Sequence, residues 1–337
     1  TAHLSSSRGA CHRACFLSSP RQCRSLRRCC ARGCESARRP LQSLLKSRNW
    51  PETDIMGGGD GDAMDLEEES KIEQYADMET IGSGKFATVH RARHVPTGRM
   101  VALKKVQIFE NIMDTQERHE VVREAKMLQK VDHQNIIKCY DSWIERGEFY
   151  VCLELCSSGD LQEVLKGQKA QHTKLPPNQV FSFAYQLTDA LNHMHSMRMM
   201  HRDIKPANVF LGEGGVLKLG DLGLGRSFSS RTLEANTVVG TPYYMAPEVM
   251  DNSSYAYPAD VWSLGCVLYE LCMLESPFYE KNVNLYQLYN KIKSAQYAPL
   301  DPQYGEVVAA LVRAMLTVDT PARPTLEQVK ATLSQTQ

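Results

Sequence analysis

No uninterrupted apolar run in this 337-residue chain approaches the roughly 18 residues needed to cross a bilayer, so no membrane-spanning segment is expected. Net charge is also missing, since 39 basic side chains balance 39 acidic ones. The balance hides an asymmetry. Residues 1–50 hold ten arginines and one lysine against a single acid, Glu35, for a charge of +10, which leaves −10 for the rest. The acidic remainder has no nucleic-acid footprint, and nucleic acid is not an expected partner. Cysteine is sparse after Cys34: the last five of eleven are scattered singly, as in a reducing compartment. The first six (Cys11, Cys15, Cys23, Cys29, Cys30, Cys34) lack the matched C-x-x-C knuckles of a zinc site. An Arg- and Ser-rich, acid-poor start has the composition of a mitochondrial transit peptide. The favoured reading of residues 1–63 is nevertheless a disordered or non-native extension, upstream of a start at Met56 or Met64 and running through the flexible Gly57-Gly58-Gly59-Asp60-Gly61. Residues 64–74 form an acidic lead-in. The length suits one bilobal enzyme or two ordinary domains.

What is present centres on residues 201–208, H-R-D-I-K-P-A-N, followed by Gly220-Asp221-Leu222-Gly223. A carboxylate (Asp203), a cation two residues on (Lys205) and an amide five on (Asn208) suit a catalytic loop for phosphoryl transfer. The carboxylate orients a substrate hydroxyl, the ammonium balances the phosphoryl charge, and the amide oxygen takes a metal ion. Asp221 would supply a second metal ligand from the end of a β-hairpin. H-R-D-x-K-x-x-N followed by K-x-G-D-x-G resembles the catalytic core of eukaryotic protein kinases. The resemblance covers residues 75–335. It implies an α+β bilobal fold, with a small β-rich N-terminal lobe and a larger helical C-terminal lobe, and it implies ATP and Mg²⁺.

Ahead of that loop the pattern is of strands. Gly82 and Gly84, between two of them, let backbone amides approach phosphate oxygens with no Cβ in the way. The loop is not a Walker A, because Phe86 follows Lys85 where Ser or Thr would hold a metal. It resembles the kinase glycine-rich loop, with Ala87 in place of the third glycine. The resemblance gives nucleotide contacts to Ile81, Gly82, Ser83, Gly84, Val89 and Ala102. In V-A-L-K-K-V, period-two alternation puts Ala102 and Lys104 on one face and Lys105 on the other. Lys104 would reach the α and β phosphates. A helical stretch follows with an apolar stripe of Val121, Ala125 and Leu128, in which Glu120 and Glu124 could each pair with Lys104. Glu124 is at the family's position. The buried strand around residues 149–155 would be the interlobe hinge, with adenine bonding backbone groups near Glu154 and Cys156 and Leu153 guarding the back of the pocket.

Beyond the hinge the chain reads as helical. A helix opens at Pro177, and its His193 and His195 suit packing better than metal ligation. Residues 260–271 are apolar nearly all round, as in a helix at the centre of a lobe. Amphipathic stretches follow around 283–294, 305–317 and 325–335. Residues 224–248 read as an activation segment ending in G-T-P-Y-Y-M-A-P-E, and Arg323 is placed to pair with Glu248 beneath it. Within this segment Thr241 suits a bond to Asp203 and Lys205. Thr237 is at the family's activating position, where a phosphate would meet Arg202, a buried cation with no acid beside it in sequence. Leu224 would favour serine over threonine. Lys205 and G-T-P-Y-Y look like the Ser/Thr branch. V-A-L-K-K-V-Q-I-F, L-G-D-L-G-L-G-R-S-F-S-S and V-G-T-P-Y-Y-M-A-P-E resemble the NIMA-related kinases, most closely the short members without long tails. That resemblance implies protein substrates, a role in mitotic spindle and cell-cycle control, and an upstream kinase or allosteric partner as activator. It also implies a cytoplasmic location extending to the nucleus, spindle and centrosome in mitosis. The alternatives are a pseudokinase scaffold, against which intact Lys104, Glu124, Asp203, Asn208 and Asp221 count, and a small-molecule phosphotransferase, which has no use for a peptide-docking motif.

Overall fold

Alternation along one strand sets the frame of the N-terminal half. The computed structural model describes residues 70–84, 87–107, 126–221, 242–251 and 255–335. Five antiparallel strands, β1 (Tyr75–Ser83), β2 (Ala87–His94), β3 (Arg99–Gln107), β4 (Cys139–Glu145) and β5 (Glu148–Glu154), form one sheet in the order β1-β2-β3-β5-β4. On β3, Val101 and Leu103 point into a core with Tyr75, Ala92, Trp143, Tyr150 and Cys152. Trp143 is stacked between Tyr75 and Tyr150, with ring centroids 5.4 and 5.2 Å away. The opposite face carries Ala102, Lys104 and Val106, paired across to Leu153, Val151 and Phe149. Lys105, on the first face, pairs with Glu148 at 3.0 Å.

The lead-in is fastened to the β4–β5 turn. Residues Lys71–Gln74 form a 3₁₀ turn, and Glu145 accepts hydrogen bonds from the Ser70 hydroxyl, from the Ile72 N–H at 3.1 Å and from Trp143 Nε1 at 3.1 Å. Lys71 pairs with Asp141 at 3.0 Å.

The C-terminal half is helical around a second hairpin, β6 (Val209–Leu211) with β7 (Leu217–Leu219). Its described helices are α1 (Leu161–Ala170), α2 (Pro177–Ser196), α3 (Pro247–Met250), α4 (Tyr257–Met273), α5 (Leu285–Lys293), α6 (Gly305–Met315) and α7 (Leu326–Ser334). Asp160 caps α1 by accepting from the Glu163 N–H at 2.9 Å. The α4 helix is buried on all sides except near its ends, matching its apolar sequence. At Gly265 an added Cβ would lie 2.9 Å from Met315 Cβ, so glycine is what lets α4 and α6 touch backbone to side chain. His193 packs against the His133 ring at 5.1 Å, and His195 bonds Asp260, so both are packed side chains. The two halves are joined through β7. The Leu219 N–H donates to Asn135 O at 2.8 Å, and its carbonyl accepts from the Ile137 N–H at 2.9 Å. Buried Asn135 adds bonds to Leu217 O and Gln186 Oε1, both at 2.8 Å. Among the described residues no helix is long and apolar enough to cross a membrane.

Candidate active site

The site lies where the β6–β7 hairpin and the loop before it meet the open face of the sheet. The loop at 201–208 is held from below by one carboxylate. Asp260, fully buried in the first turn of α4, accepts from the His201 N–H and the Arg202 N–H at 2.9 Å each, and from His195 Nε2 and Tyr255 Oη at 2.8 Å each. Burial alone would push its pKa up, but the bonds from His195 and the two backbone amides hold the carboxyl below its usual range. Arg202 has φ +70° and Asp221 φ +53°, left-handed backbone that non-glycine residues adopt at a cost. The Asp260 bond to the Arg202 N–H fixes the first of these bends. No function was assigned to Asp260 from sequence. A carboxylate opening an otherwise apolar helix was the available signal, because a buried charge must be matched by donors.

His201 links this loop to the next. Its Nδ1 accepts from the Asp203 N–H at 3.3 Å and its Nε2 donates to Gly220 O at 2.9 Å, which sets the neutral tautomer. Burial holds its pKa below the ordinary histidine value. The unfolded chain therefore takes up this proton first as pH falls. The stabilisation from neutral His201 is complete above about pH 6.5 and is lost as pH drops through the lower folded value. His133, also lowered by burial, adds in the same direction, whereas half-buried Glu270, with its pKa raised by desolvation, opposes it. Comparison with His201→Gln isolates the term. Urea midpoints at pH 7.5 and 5.5 should fall more steeply with acidity in the wild type than in the variant, and equal slopes would refute the assignment.

Asp203 Oδ2 accepts from Lys205 Nζ at 2.7 Å and from Asn208 Nδ2 at 2.9 Å, and the same Asn208 amide donates to Asp203 O at 2.7 Å. Both amide hydrogens of Asn208 face Asp203, which turns its oxygen the other way. The Gly220 N–H donates to Asn208 O at 2.9 Å, so Asp221 lies beside Asn208. Lys104 comes from β3 to form an ion pair with Asp221 Oδ1. The structure thus brings Lys104, Asp203, Lys205, Asn208 and Asp221 together from three segments. Glu124, the expected partner of Lys104, lies outside the described residues, as do Leu222, Leu224, Thr237 and Thr241. The expectation that Arg202 is buried needs correction: the residue as a whole is half-buried, with its backbone N–H on Asp260 and its Nε enclosed.

Around this cluster the chain leaves room of the right kind for a nucleotide. Among the described residues, a Cβ at Gly82 would meet only Val89 Cβ at 3.9 Å, and one at Gly84 only Ala87 O at 3.6 Å. No described residue crowds either position, which is compatible with a phosphate beside them. Ile81 is half exposed, Val89 pairs with Lys104 across β2–β3, and Ala102 is buried beside Leu153. Ser83 pairs with Thr88 at the end of β1. At the end of β5, the Glu154 N–H is bonded to Lys138 O at 2.8 Å and its carboxylate to Lys218 at 2.9 Å. Among the described residues neither Leu155 nor Cys156 has a backbone–backbone hydrogen bond, which leaves hinge groups for a ligand's polar edge. Burial pushes the Cys156 thiol up to about 11. No cluster of three or more His, Cys, Asp or Glu fit to hold a metal occurs among the described residues. Asn208 with Asp221 suits Mg²⁺, which keeps waters and takes phosphate oxygens alongside one or two protein ligands.

Beneath residues 242–248, Arg323 donates from Nη1 to Glu248 Oε1 at 2.7 Å and from Nη2 to Oε2 at 3.1 Å. Its guanidinium also reaches Pro258 O and Thr317 O and lies 5.2 Å from the Trp262 ring centre.

A family model described as "Protein kinase domain" matches residues 75–333. The chain is 35% identical over 263 residues to the probable serine/threonine-protein kinase nek2 of Dictyostelium discoideum, covering 77% of this chain and 62% of that protein. It is 35% identical over 259 residues to human serine/threonine-protein kinase Nek5, with 77% and 36% covered, and 35% identical over 267 residues to mouse Nek2, with 77% and 59% covered. The chain spans less than two thirds of each of these relatives.

Proposed function

Since the chain belongs to the NIMA-related branch of the serine/threonine protein kinases, we propose that it transfers the γ-phosphoryl group of ATP to serine and threonine hydroxyls of proteins. The observation that carries this reading is the Asp203 carboxylate, aimed by Lys205 and Asn208 and set beside the Lys104–Asp221 pair. Asp203 would accept a hydrogen bond from the attacking hydroxyl and align it. Lys205, within 2.7 Å of Asp203, would balance negative charge developing nearby. Lys104 would release Asp221 and hold nucleotide phosphates, while Asp221 and the Asn208 oxygen would hold Mg²⁺. When bound, Mg²⁺ supplies charge neutralisation of the phosphates. Everything the chain itself contributes is positioning and electrostatics. The test is turnover of ATP with a generic protein substrate and Mg²⁺, and phosphoamino-acid analysis showing no phosphoserine or phosphothreonine would overturn the reading.

The same reading includes a switch. A phosphate on Thr237 would bring a charge of about −1.5 to −2 to the loop where Arg202 stands half-buried next to Asp203, making one to three charge-assisted bonds. An upstream kinase or an allosteric partner would deliver activation. Cytoplasmic protein, with spindle, centrosome and nuclear pools in mitosis, would act on cell-cycle substrates. Phosphatase-treated protein is expected to be weakly active, and Thr237→Ala to stay weak in the presence of any activating kinase. Full activity with Thr237 unmodified, verified by phosphosite mapping, is the contrary result.

A further inference from the structure

Lys218 opens the K-x-G-D-x-G stretch, yet phosphoryl transfer by Asp203 and Asp221 leaves it without a task. Its ammonium reaches the hinge, meeting Glu154 Oε1 at 2.9 Å and Oε2 at 3.0 Å. The two side chains are 18% and 25% exposed, so this pair is shielded well beyond an ordinary surface pair. Glu154 is held in place by Lys138 as well. The Lys138 N–H donates to Oε2 at 3.2 Å, and Lys138 O accepts from the Glu154 N–H at 2.8 Å. The Lys138 ammonium itself is committed to Asp132 at 2.8 Å. Lys218 is therefore the cation that balances Glu154.

The far end of the hinge lands on the same hairpin. Gly159 O accepts from the Leu211 N–H at 3.0 Å, and Asp160 bridges to Phe210, which faces Lys218 across β6–β7. Residues 155–158 are thus strung between two fasteners on one small ribbon. That ribbon also carries both metal candidates, Asn208 immediately before β6 and Asp221 just beyond β7. The link from Lys218 to Asp221 is stiff. A Cβ at Gly220 would fall 2.7 Å from Ile137 Cδ1 and 2.8 Å from Phe210 Cε2, so the chain there is packed too closely to slide. We propose that the Glu154–Lys218 pair is a positioning device for the nucleotide, fixing the span from the purine edge at the hinge to the metal-bound phosphates. The identity of that ligand rests on the kinase reading. The pair acts through the hinge backbone and through β7, not by contact with the reacting atoms. With the span fixed, a nucleotide held by its base finds the phosphate site already within reach. Loss of the pair leaves both half-sites intact and detunes the distance between them.

Two variants test it without relying on turnover. Lys218→Met keeps the stem and removes the charge, and Glu154→Gln keeps an acceptor for the Lys138 N–H. Calorimetry on the full chain measures two ligands: Mg-ATP, which spans both ends, and adenosine, which reaches only the hinge. Each variant should bind Mg-ATP about tenfold more weakly, and adenosine affinity should stay within about twofold of the wild type. KM for ATP should rise by the same factor, while kcat at saturating ATP and KM for a peptide substrate change little. Lys218→Arg, which keeps the charge, should recover most of the loss, and the double variant should bind no worse than either single one. A generally loosened fold weakens both ligands together, so equal losses for Mg-ATP and adenosine overturn the proposal. Unchanged Mg-ATP binding in both variants also overturns it, with the kinase reading left standing. A wild type that binds neither ligand overturns the kinase reading, and the proposal with it.

Discussion

Asp203→Asn is expected to lower kcat by roughly 10²–10⁴-fold, the range for loss of a positioned base, with the fold unchanged. The reason is in the donors around it. Lys205 Nζ and Asn208 Nδ2 both point at Oδ2, so the amide oxygen of an asparagine must take that place. Its NH₂ then faces the substrate hydroxyl, where a donor cannot accept the hydrogen bond that aligns the nucleophile. Substrate KM should move little, since the nucleotide is held elsewhere. Circular dichroism and thermal unfolding should match the wild type. A variant with wild-type kcat would remove Asp203 from the mechanism.

Glu248→Ala is expected to cost about 3–5 kcal/mol of stability. Arg323 is fully buried at its side chain, and the carboxylate is its only acidic partner among the described residues. Removing that partner leaves a guanidinium desolvated against Trp262, with two carbonyls for company. The carbonyls keep its hydrogen bonds but not its charge balance. Urea unfolding gives the number directly. A loss under about 1 kcal/mol is the size of an exposed pair and would contradict the burial argument. Arg323→Lys should recover little of the native stability, because an ammonium lacks the planar fork that meets both carboxylate oxygens.

How far the chain could be read in advance depended on the range of the interaction. Alternation along β3 separates Lys104 from Lys105, and the structure places them on opposite faces with different acids. The apolar run at 260–271 lies in α4, and the three later amphipathic stretches lie in α5, α6 and α7. These are local patterns, set by burial on one side or all sides. Strand β4 and helix α1 carry weak local signals. Cys139–Glu145 alternates weakly, and α1 has only Leu161 and Leu165 fully buried. The sequence brings Asp203, Lys205 and Asn208 into one short loop, but the support beneath them comes from 59 residues away. Asp260 holds the loop through two backbone amides, besides its bonds to His195 and Tyr255, and a backbone amide leaves no complementary residue type to look for. The same holds for Asn135, which grips Leu217 O across 82 positions. Lys104 meets Asp221, 117 residues on, in a contact that no helical or strand period announces.

The fastening of the lead-in to Glu145 bears on where the catalytic unit starts. Recognisable family sequence begins at Tyr75, yet the carboxylate at the β4–β5 turn takes two of its donors from Ser70 and Ile72, and the Ser70 bond is the main cause of its lowered pKa. A recombinant fragment cut at Tyr75 would keep every motif and still strip an anion of its neighbours. It would also bare the Trp143 face that Lys71 and Ile72 cover. The border of the folding unit is therefore drawn by an acid's need for protons to lean on, at least five residues ahead of the border drawn by likeness.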